Sequence, residues 1–196
     1  MLVYKKDDIT VSTVEEQDIS DVVKLYSAND FTADYEASSL RPTNYQFITL
    51  MRDIIDGKVN TESVLVLKKN DKVIGYISMF VQYSRLNIGH IAICDTEQHQ
   101  GYGKLLTRLA MLLAENDDRD VSLFCDHRKN YYSELGFEAL DNVHYLYEHK
   151  GIKTEELPHL FLSIDEYEKK AEKDRMHKIE SFRKTIDFLQ KNGIGL

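Results

Sequence analysis

The sequence predicts an α/β domain in which a mixed, mostly antiparallel sheet is flanked by helices. Three strand-like segments joined by short connections lie between residues 63 and 94, and a strand–helix–strand unit spans residues 88–125. Helical periodicity is also evident on both sides of the meander. The length of 196 residues fits one domain with an appendage, and it suffices to bury a core without disulfide or metal support.

The first part of the chain predicts one strand, two helices and a loop. Apolar residues alternate over residues 9–14, as in a strand, and Asp18 can cap the helix that follows. Residues 27–41 have no clear period and are predicted to form a loop. Thr43 or Asn44 can cap a second amphipathic helix, which a glycine closes.

Three apolar segments then predict an antiparallel meander over residues 63–67, 73–81 and 86–94. Asn70 and Asp71 form a short polar connection between the first two segments, of the length used in hairpins. Consecutive strands on such short links are expected to be neighbours in the sheet.

A helical period begins near Lys104, and an apolar strand follows at residues 121–125. A strand, a helix and a second strand in this order predict a parallel pair, so residues 121–125 should lie beside residues 88–94. A short helix and a hairpin complete the prediction, at residues 130–135, 137–140 and 144–147.

The C-terminal part is predicted to be a separate helical extension. Ser163-Ile-Asp-Glu166 is a capping box for a helix that could run to Lys191. The expected boundaries are residues 1–149 for the domain, 150–162 for a linker and 163–196 for the extension. The helix could dock on the domain, pair with a second copy in a homodimer or cover the acceptor site, and the sequence leaves all three open.

Charge and composition narrow the class of partner. The net charge is −8, and residues 150–196 carry ten Lys or Arg and nine Asp or Glu, so the acidity belongs to residues 1–149. An acidic chain is a poor binder of nucleic acid and suits a cationic ligand better. With no apolar run near ~18 residues and no signal-peptide core, we expect no membrane association and a cytoplasmic location.

Two cysteines and several histidines are candidates for reactive or metal-binding groups. Cys94 and Cys125 sit in apolar runs, which favours reduced, packed thiols. The spacing of His90, Cys94 and His99 matches no familiar zinc pattern, so no metal is predicted.

The turn Gln98-His-Gln-Gly101-Tyr-Gly103 joins an apolar strand to the helix that follows. Its glycines let backbone N–H groups approach a ligand, and the helix N-terminus adds partial positive charge, so the turn predicts a phosphate or pyrophosphate cradle. It is not a Walker loop, because Leu105 stands where Ser or Thr is required. It is not a dinucleotide fingerprint, because Leu106 replaces the third glycine.

With this turn and the later motif Tyr132-Ser-Glu-Leu-Gly136-Phe137, the chain resembles the GCN5-related N-acetyltransferases. The resemblance covers residues 9–148. The resemblance implies the GNAT-type sheet, splayed between its fourth and fifth strands (residues 86–94 and 121–125), and acetyl-CoA as cosubstrate. His99 departs from the family, which often has glycine there. The residues that the resemblance assigns to acetyl-CoA are Ile93, Gln98, His99, Gln100, Gly101, Tyr102, Gly103, Lys104 and Asn130.

The resemblance further implies that an amine attacks the thioester directly, within a ternary complex. Tyr132 matches the family's acid position, and a core aromatic is the alternative. His90 falls where the family often has a carboxylate base. The alternatives are that His90 is a hydrogen-bonded histidine without a catalytic role on the polar face of the strand, or that a water relay to Asp or Glu serves as the base. Gly89 would permit a bulge beside it.

The expected acceptor is a primary amine, which the acidic, aromatic loop at residues 30–36 could hold. Two other functions stay open at this point. One is an acyl-CoA sensor that acts through the C-terminal helix without turnover. The other is a nucleotide-binding protein of another fold, if the match at residues 132–137 is accidental.

Overall fold

The computed structural model describes residues 1–28, 42–125, 129–141, 144–151 and Leu157. The chain divides into two compact units, Met1–Phe161 and Leu162–Leu196. All described residues belong to the first unit. The predicted C-terminal helix, most of the predicted linker and most of the loop at residues 27–41 lie outside the described residues, so those expectations stay predictions.

The strands of the described residues form one sheet with the order β1-β2-β3-β4-β5-β6-β8-β7. Neighbours are antiparallel except β5 and β6, which are parallel. The strands are β1 Leu2–Lys6, β2 Ile9–Thr13, β3 Glu62–Lys69, β4 Lys72–Gln82, β5 Arg85–Ile93, β6 Asp120–Phe124, β7 Glu138–Ala139 and β8 His144–Tyr147. The helices are α1 Ile19–Ala28, α2 Asn44–Ile55, α3 Tyr102–Asn116 and α4 Lys129–Glu134.

The meander, the parallel pair and the final hairpin are confirmed. Asn70 and Asp71 both have positive φ, 48° and 62°. Such a two-residue turn matches the right-handed twist of the strands that it joins, and Asn and Asp adopt this conformation at low cost. Thr43 is the cap of α2, and its Oγ1 accepts a hydrogen bond from the Gln46 backbone N–H at 3.2 Å.

The strand β1 was not predicted. It has five residues, two of them lysines, and its sequence lacks the alternation that marks a half-buried strand. Among the described strands it pairs with β2 alone, at the edge of the sheet. Lysine at a sheet edge is typical, because it discourages pairing with another chain.

Asp18 differs from the prediction, because it lies in a short 3₁₀ turn before α1. Its carboxylate accepts a hydrogen bond from the Glu15 backbone N–H at 3.2 Å and pairs with the Lys68 ammonium at 2.7 Å. The side chains of Asp18 and Lys68 are only 4% and 15% exposed. A buried ion pair therefore fastens the start of α1 to β3.

The sheet separates two apolar clusters. Helix α3 packs on one face, against the residues of β3 that include Leu65 and Leu67. Helices α1 and α2 pack on the other, against Val64 and Val66. We call these the α3 face and the α1/α2 face. No described helix is both long and apolar enough to serve as a membrane span.

Beneath the α3 face, the Tyr147 hydroxyl donates a hydrogen bond to the Glu115 carboxylate at 2.6 Å, and both residues are buried. Burial first, and then the hydrogen bond and the charge of Glu115, raise the pKa of Tyr147 from 10.0 to about 12. The folded protein therefore keeps a proton that the unfolded chain loses above about pH 10.

We expect this difference to make the protein less stable as pH rises from about 10 to about 12, with no effect below pH 10. Two pKa units correspond to about 3 kcal/mol. Urea unfolding across pH 9–12 should show the advantage of the wild type over Tyr147→Phe shrinking over this window. Parallel stability curves for the two proteins would contradict the assignment.

Candidate active site

The parallel strands β5 and β6 part at one end of the sheet. Residues 85–88 of β5 pair with residues 120–123 of β6. Beyond this point β5 continues to Ile93 beside β4, whereas β6 ends at Phe124. A cleft therefore opens between residues 89–93 and the end of β6, as the predicted splay requires. The carboxyl ends of parallel strands are a common location for ligand sites in α/β sheets.

The predicted cradle, residues 98–104, follows β5 at this same end. The Gln98 side-chain amide donates hydrogen bonds to the Ile93 carbonyl at 3.1 Å and to the Asp95 carboxylate at 3.0 Å. This amide thus closes the turn back onto the strand. The side chain of Gln98 therefore stabilises the cradle, of which its backbone is also a part.

Two residues of the cradle adopt left-handed backbone conformations. Gly101 has φ 84° and directly precedes α3, and His99 has φ 61°. His99 thus reaches a conformation that glycine adopts freely, at a cost of about 1 kcal/mol. The Leu105 N–H donates to the Gly101 carbonyl at 3.0 Å, so the earlier N–H groups, of residues 102–104, have no acceptor within the helix. These groups and the helix dipole favour an anion.

Helix α4 is held against the start of α3. The Lys104 ammonium lies 2.8 Å from the Glu134 carboxylate and 6.0 Å from the centre of the Tyr131 ring. A Cβ atom on Gly103 would lie 3.0 Å from the Tyr131 hydroxyl. The hydrogen bond from Lys104 lowers the pKa of Glu134. Lys104 thus holds α4 against α3, and an anion bound in the cradle would compete with Glu134 for the Lys104 ammonium.

Tyr132 lies on α4, buried and in contact with other aromatic rings. Its ring centre is 4.9 Å from that of Tyr131, 5.7 Å from that of Phe137 and 5.6 Å from that of Tyr145. Asn130, two residues earlier on the same helix, is exposed. Because α4 touches the start of α3, both predicted residues belong to the cleft end of the sheet.

A β-bulge at Gly89 determines the side of the sheet that His90 faces. Ile88 pairs with Met79 and His90 pairs with Ser78, so Gly89 is an extra residue in β5. In a regular strand, residues 88 and 90 would share a face. Here Ile88 belongs to the α3-face cluster, whereas the His90 ring meets rings of the α1/α2 face. The predicted bulge is confirmed.

The surroundings of His90 are aromatic and hydroxylic. Its ring centre lies 5.3 Å from that of Tyr26 on α1 and 6.4 Å from that of Phe47 on α2. The Ser78 hydroxyl lies 3.3 Å from Nδ1 of the imidazole and accepts a hydrogen bond from the His90 backbone N–H at 3.0 Å. Ser78 was not predicted, because only the bulge brings its side chain onto this backbone N–H.

The cysteines flank the cleft, as expected from their positions at the strand ends. Both are partly buried and pack against the α3-face cluster. The acidic loop proposed for the acceptor, residues 30–36, lies outside the described residues. The structure thus gathers Ile93, Lys104 and the residues between them at one turn, with Asn130 and Tyr132 beside it and His90 on the α1/α2 face.

Comparisons with known proteins agree with this architecture. Residues 60–139 match the family model described as "Acetyltransferase (GNAT) domain". No curated protein matches the sequence significantly.

Solved structures with the same fold include the PaiA N-acetyltransferase from Thermoplasma acidophilum in complex with coenzyme A. It is 12% identical, with a TM-score of 0.57 over 71% of this chain and 97% of that one. A putative GNAT acetyltransferase from Desulfovibrio desulfuricans is 16% identical, with a TM-score of 0.56 over 71% and 98%. A GNAT acetyltransferase from Brucella melitensis in complex with acetyl-CoA is 16% identical, with a TM-score of 0.52 over 76% and 93%.

Proposed function

Because residues 60–139 match the family model of the GNAT acetyltransferase domain, we propose that this chain transfers the acetyl group of acetyl-CoA to a primary amine. The observation that carries the proposal is the early end of the β5–β6 ladder directly beside the N-terminus of α3. An extended cofactor arm fits between parted strands, and a pyrophosphate fits on free helix N–H groups. Two of the similar structures hold coenzyme A or acetyl-CoA.

The cradle supplies what an anionic cosubstrate needs in an acidic chain. With a net charge of −8, the field of the whole protein does not attract CoA. The backbone N–H groups of residues 99–104 and the Lys104 ammonium are proposed to bind its phosphates, while Gln98 holds the turn to Ile93. Asn130, exposed at the start of α4, is proposed to contact the same molecule.

Acetyl-CoA supplies a thioester carbonyl. The protein must accept a proton from the attacking amine and provide a proton to the departing sulfur. Tyr132 is proposed to donate a proton to the departing sulfur. Its ordinary pKa of about 10 lies above the value of about 8.5 for a thiol, so the donation relies on sulfur being a good leaving group. His90 is proposed to contact the amine, because the bulge turns its ring toward the face opposite α3.

The proposed acceptor class rests on charge. An amine is cationic in solution, and the acidic residues of the domain favour its approach. The test is release of CoA thiol from acetyl-CoA, measured with polyamines, aminoglycosides, amino acids and lysine-containing peptides. Turnover with an amine supports the proposal. Binding of acetyl-CoA in calorimetry without turnover on any amine would favour the sensor function instead.

Two glycines provide a matched pair for the cofactor site. Gly101 and Gly57 both have left-handed φ, 84° and 68°, and a Cβ atom on either would meet nothing within 4 Å. Alanine at each position therefore introduces the same backbone strain. We expect Gly101→Ala to weaken acetyl-CoA binding and Gly57→Ala to leave it unchanged. Equal binding by both variants would contradict the cradle.

A further inference from the structure

A second imidazole lies on the same face of the sheet as His90, across the cleft. His144 begins β8 and pairs with Phe124 of β6. Phe124 directly follows Leu123, the last residue of β6 that pairs with β5. The neighbouring residues Leu123 and Tyr145 belong to the α3-face cluster. Since side chains alternate along a strand, Phe124 and His144 face the α1/α2 side.

His144 is one strand removed from the opening. The centres of the Phe124 and His144 rings are 5.0 Å apart, in an edge-to-face arrangement. Neighbouring strands lie about 4.8 Å apart, so the imidazole stands at the rim of the cleft behind Phe124. The side chain is 54% exposed, which leaves room for a ligand beside it.

Asp141 fixes the state of this imidazole. Its carboxylate lies 2.6 Å from Nδ1 of His144 and also accepts the His144 backbone N–H at 2.8 Å. A carboxylate only accepts hydrogen bonds, so Nδ1 carries the proton and Nε2 of the neutral ring presents a lone pair. This is the arrangement of a carboxylate-supported general base.

His90 is less suited to that task. Its Nδ1 lies 3.3 Å from the Ser78 hydroxyl, and rings of α1 and α2 pack against it. A base must also return its proton to solvent before the next turnover. The half-exposed ring of His144 meets that requirement more directly.

Resting on the proposed function, we propose that the Asp141–His144 pair is the base that receives the proton of the acceptor amine. The acceptor ammonium first loses one proton to solvent, and the neutral amine nitrogen then forms the new C–N bond as the thioester C–S bond breaks. The amine proton passes to Nε2 of His144 and then to solvent, while the sulfur takes a proton from Tyr132, which solvent restores. The products are the N-acetylated amine and the free thiol.

The test measures kcat, and the dissociation constant of acetyl-CoA, for His144→Ala and Asp141→Asn, with the best acceptor found among the amines above. We expect His144→Ala to lower kcat about a hundredfold and Asp141→Asn about tenfold, with acetyl-CoA binding unchanged. Added imidazole should restore part of the activity of His144→Ala, because it can replace the missing base. A purely structural role of the ring would not respond to imidazole.

His149 serves as the matched control. It follows the other end of β8, where its backbone N–H donates to Asp120 at the start of β6, far from the cleft. His149→Ala should retain wild-type kcat. Thermal unfolding of all three variants separates a folding defect from a loss of chemistry, and Asp141→Asn keeps a side chain of the same shape.

The outcomes separate the inference from the function. If the wild type acetylates an amine and His144→Ala has the same kcat, the inference alone is overturned. A large loss of kcat in His90→Ala with none in His144→Ala has the same meaning. Failure of imidazole to restore any activity to a folded His144→Ala protein also overturns it. A wild type that binds acetyl-CoA and acetylates no amine overturns the proposed function, and the inference with it.

Discussion

Replacing Lys68 by methionine is expected to lower the free energy of unfolding by about 3–5 kcal/mol, the largest stability effect that we expect from a single side chain here. The variant leaves the Asp18 carboxylate buried, with a hydrogen bond from the Glu15 backbone N–H at 3.2 Å but without the ammonium that lies 2.7 Å away in the wild type. Burying an uncompensated charge costs far more than the intact pair contributes. Urea unfolding of both proteins measures the difference.

Lys69 offers a matched control in the next position of β3. It pairs with Glu97 at 3.0 Å, but both side chains are more exposed than those of the Lys68 pair. Lys69→Met should therefore cost much less. The double variant Asp18→Asn, Lys68→Met should recover part of the stability, since it removes the stranded charge. Equal costs for Lys68→Met and Lys69→Met would contradict the argument.

The second large effect concerns activity. Tyr132→Phe is expected to lower kcat about a hundredfold while acetyl-CoA binding and the unfolding temperature change little. The ring contacts with Tyr131, Phe137 and Tyr145 do not require the hydroxyl. Steady-state kinetics and calorimetry therefore report the proton donor separately from the core packing.

Tyr145→Phe is the control for removing a hydroxyl from this aromatic cluster. Tyr145 is buried on β8, with its ring centre 5.6 Å from that of Tyr132, and it belongs to the α3-face cluster. We expect this variant to keep its kcat. If Tyr132→Phe also turns over at the wild-type rate, Tyr132 is a core aromatic, which is the alternative interpretation of its position.

Elements with strong local patterns were predictable from the sequence. The meander, the parallel pair and the helix after the glycine turn all follow from alternation, periodicity and turn residues within about 40 positions of the chain. The cradle residues were predictable for the same reason, because they are contiguous and directly precede α3.

Features that depend on register or on distant partners were not predictable. The contact of Ser78 with His90 exists only because one residue of β5 is unpaired. The pair of Asp18 and Lys68 joins positions fifty residues apart, and no local pattern marks it. The Asp-x-x-His spacing of Asp141 and His144 was visible in the sequence, but its place beside the cleft follows only from the pairing of β6 with β8.

The bulge at Gly89 divides β5 into two segments in which the side chains alternate between the two faces of the sheet in opposite order. Before it, Leu86 and Ile88 pack on the α3 face, whereas after it His90 and Ala92 pack on the α1/α2 face. A Cβ atom on Gly89 would lie 3.1 Å from the Ser78 hydroxyl, so a larger residue here would press on the side chain that contacts His90. Deletion of this one residue would move the side chains of the rest of the strand from the α1/α2 face to the α3 face and the reverse, so any redesign of the acceptor side has to keep this glycine.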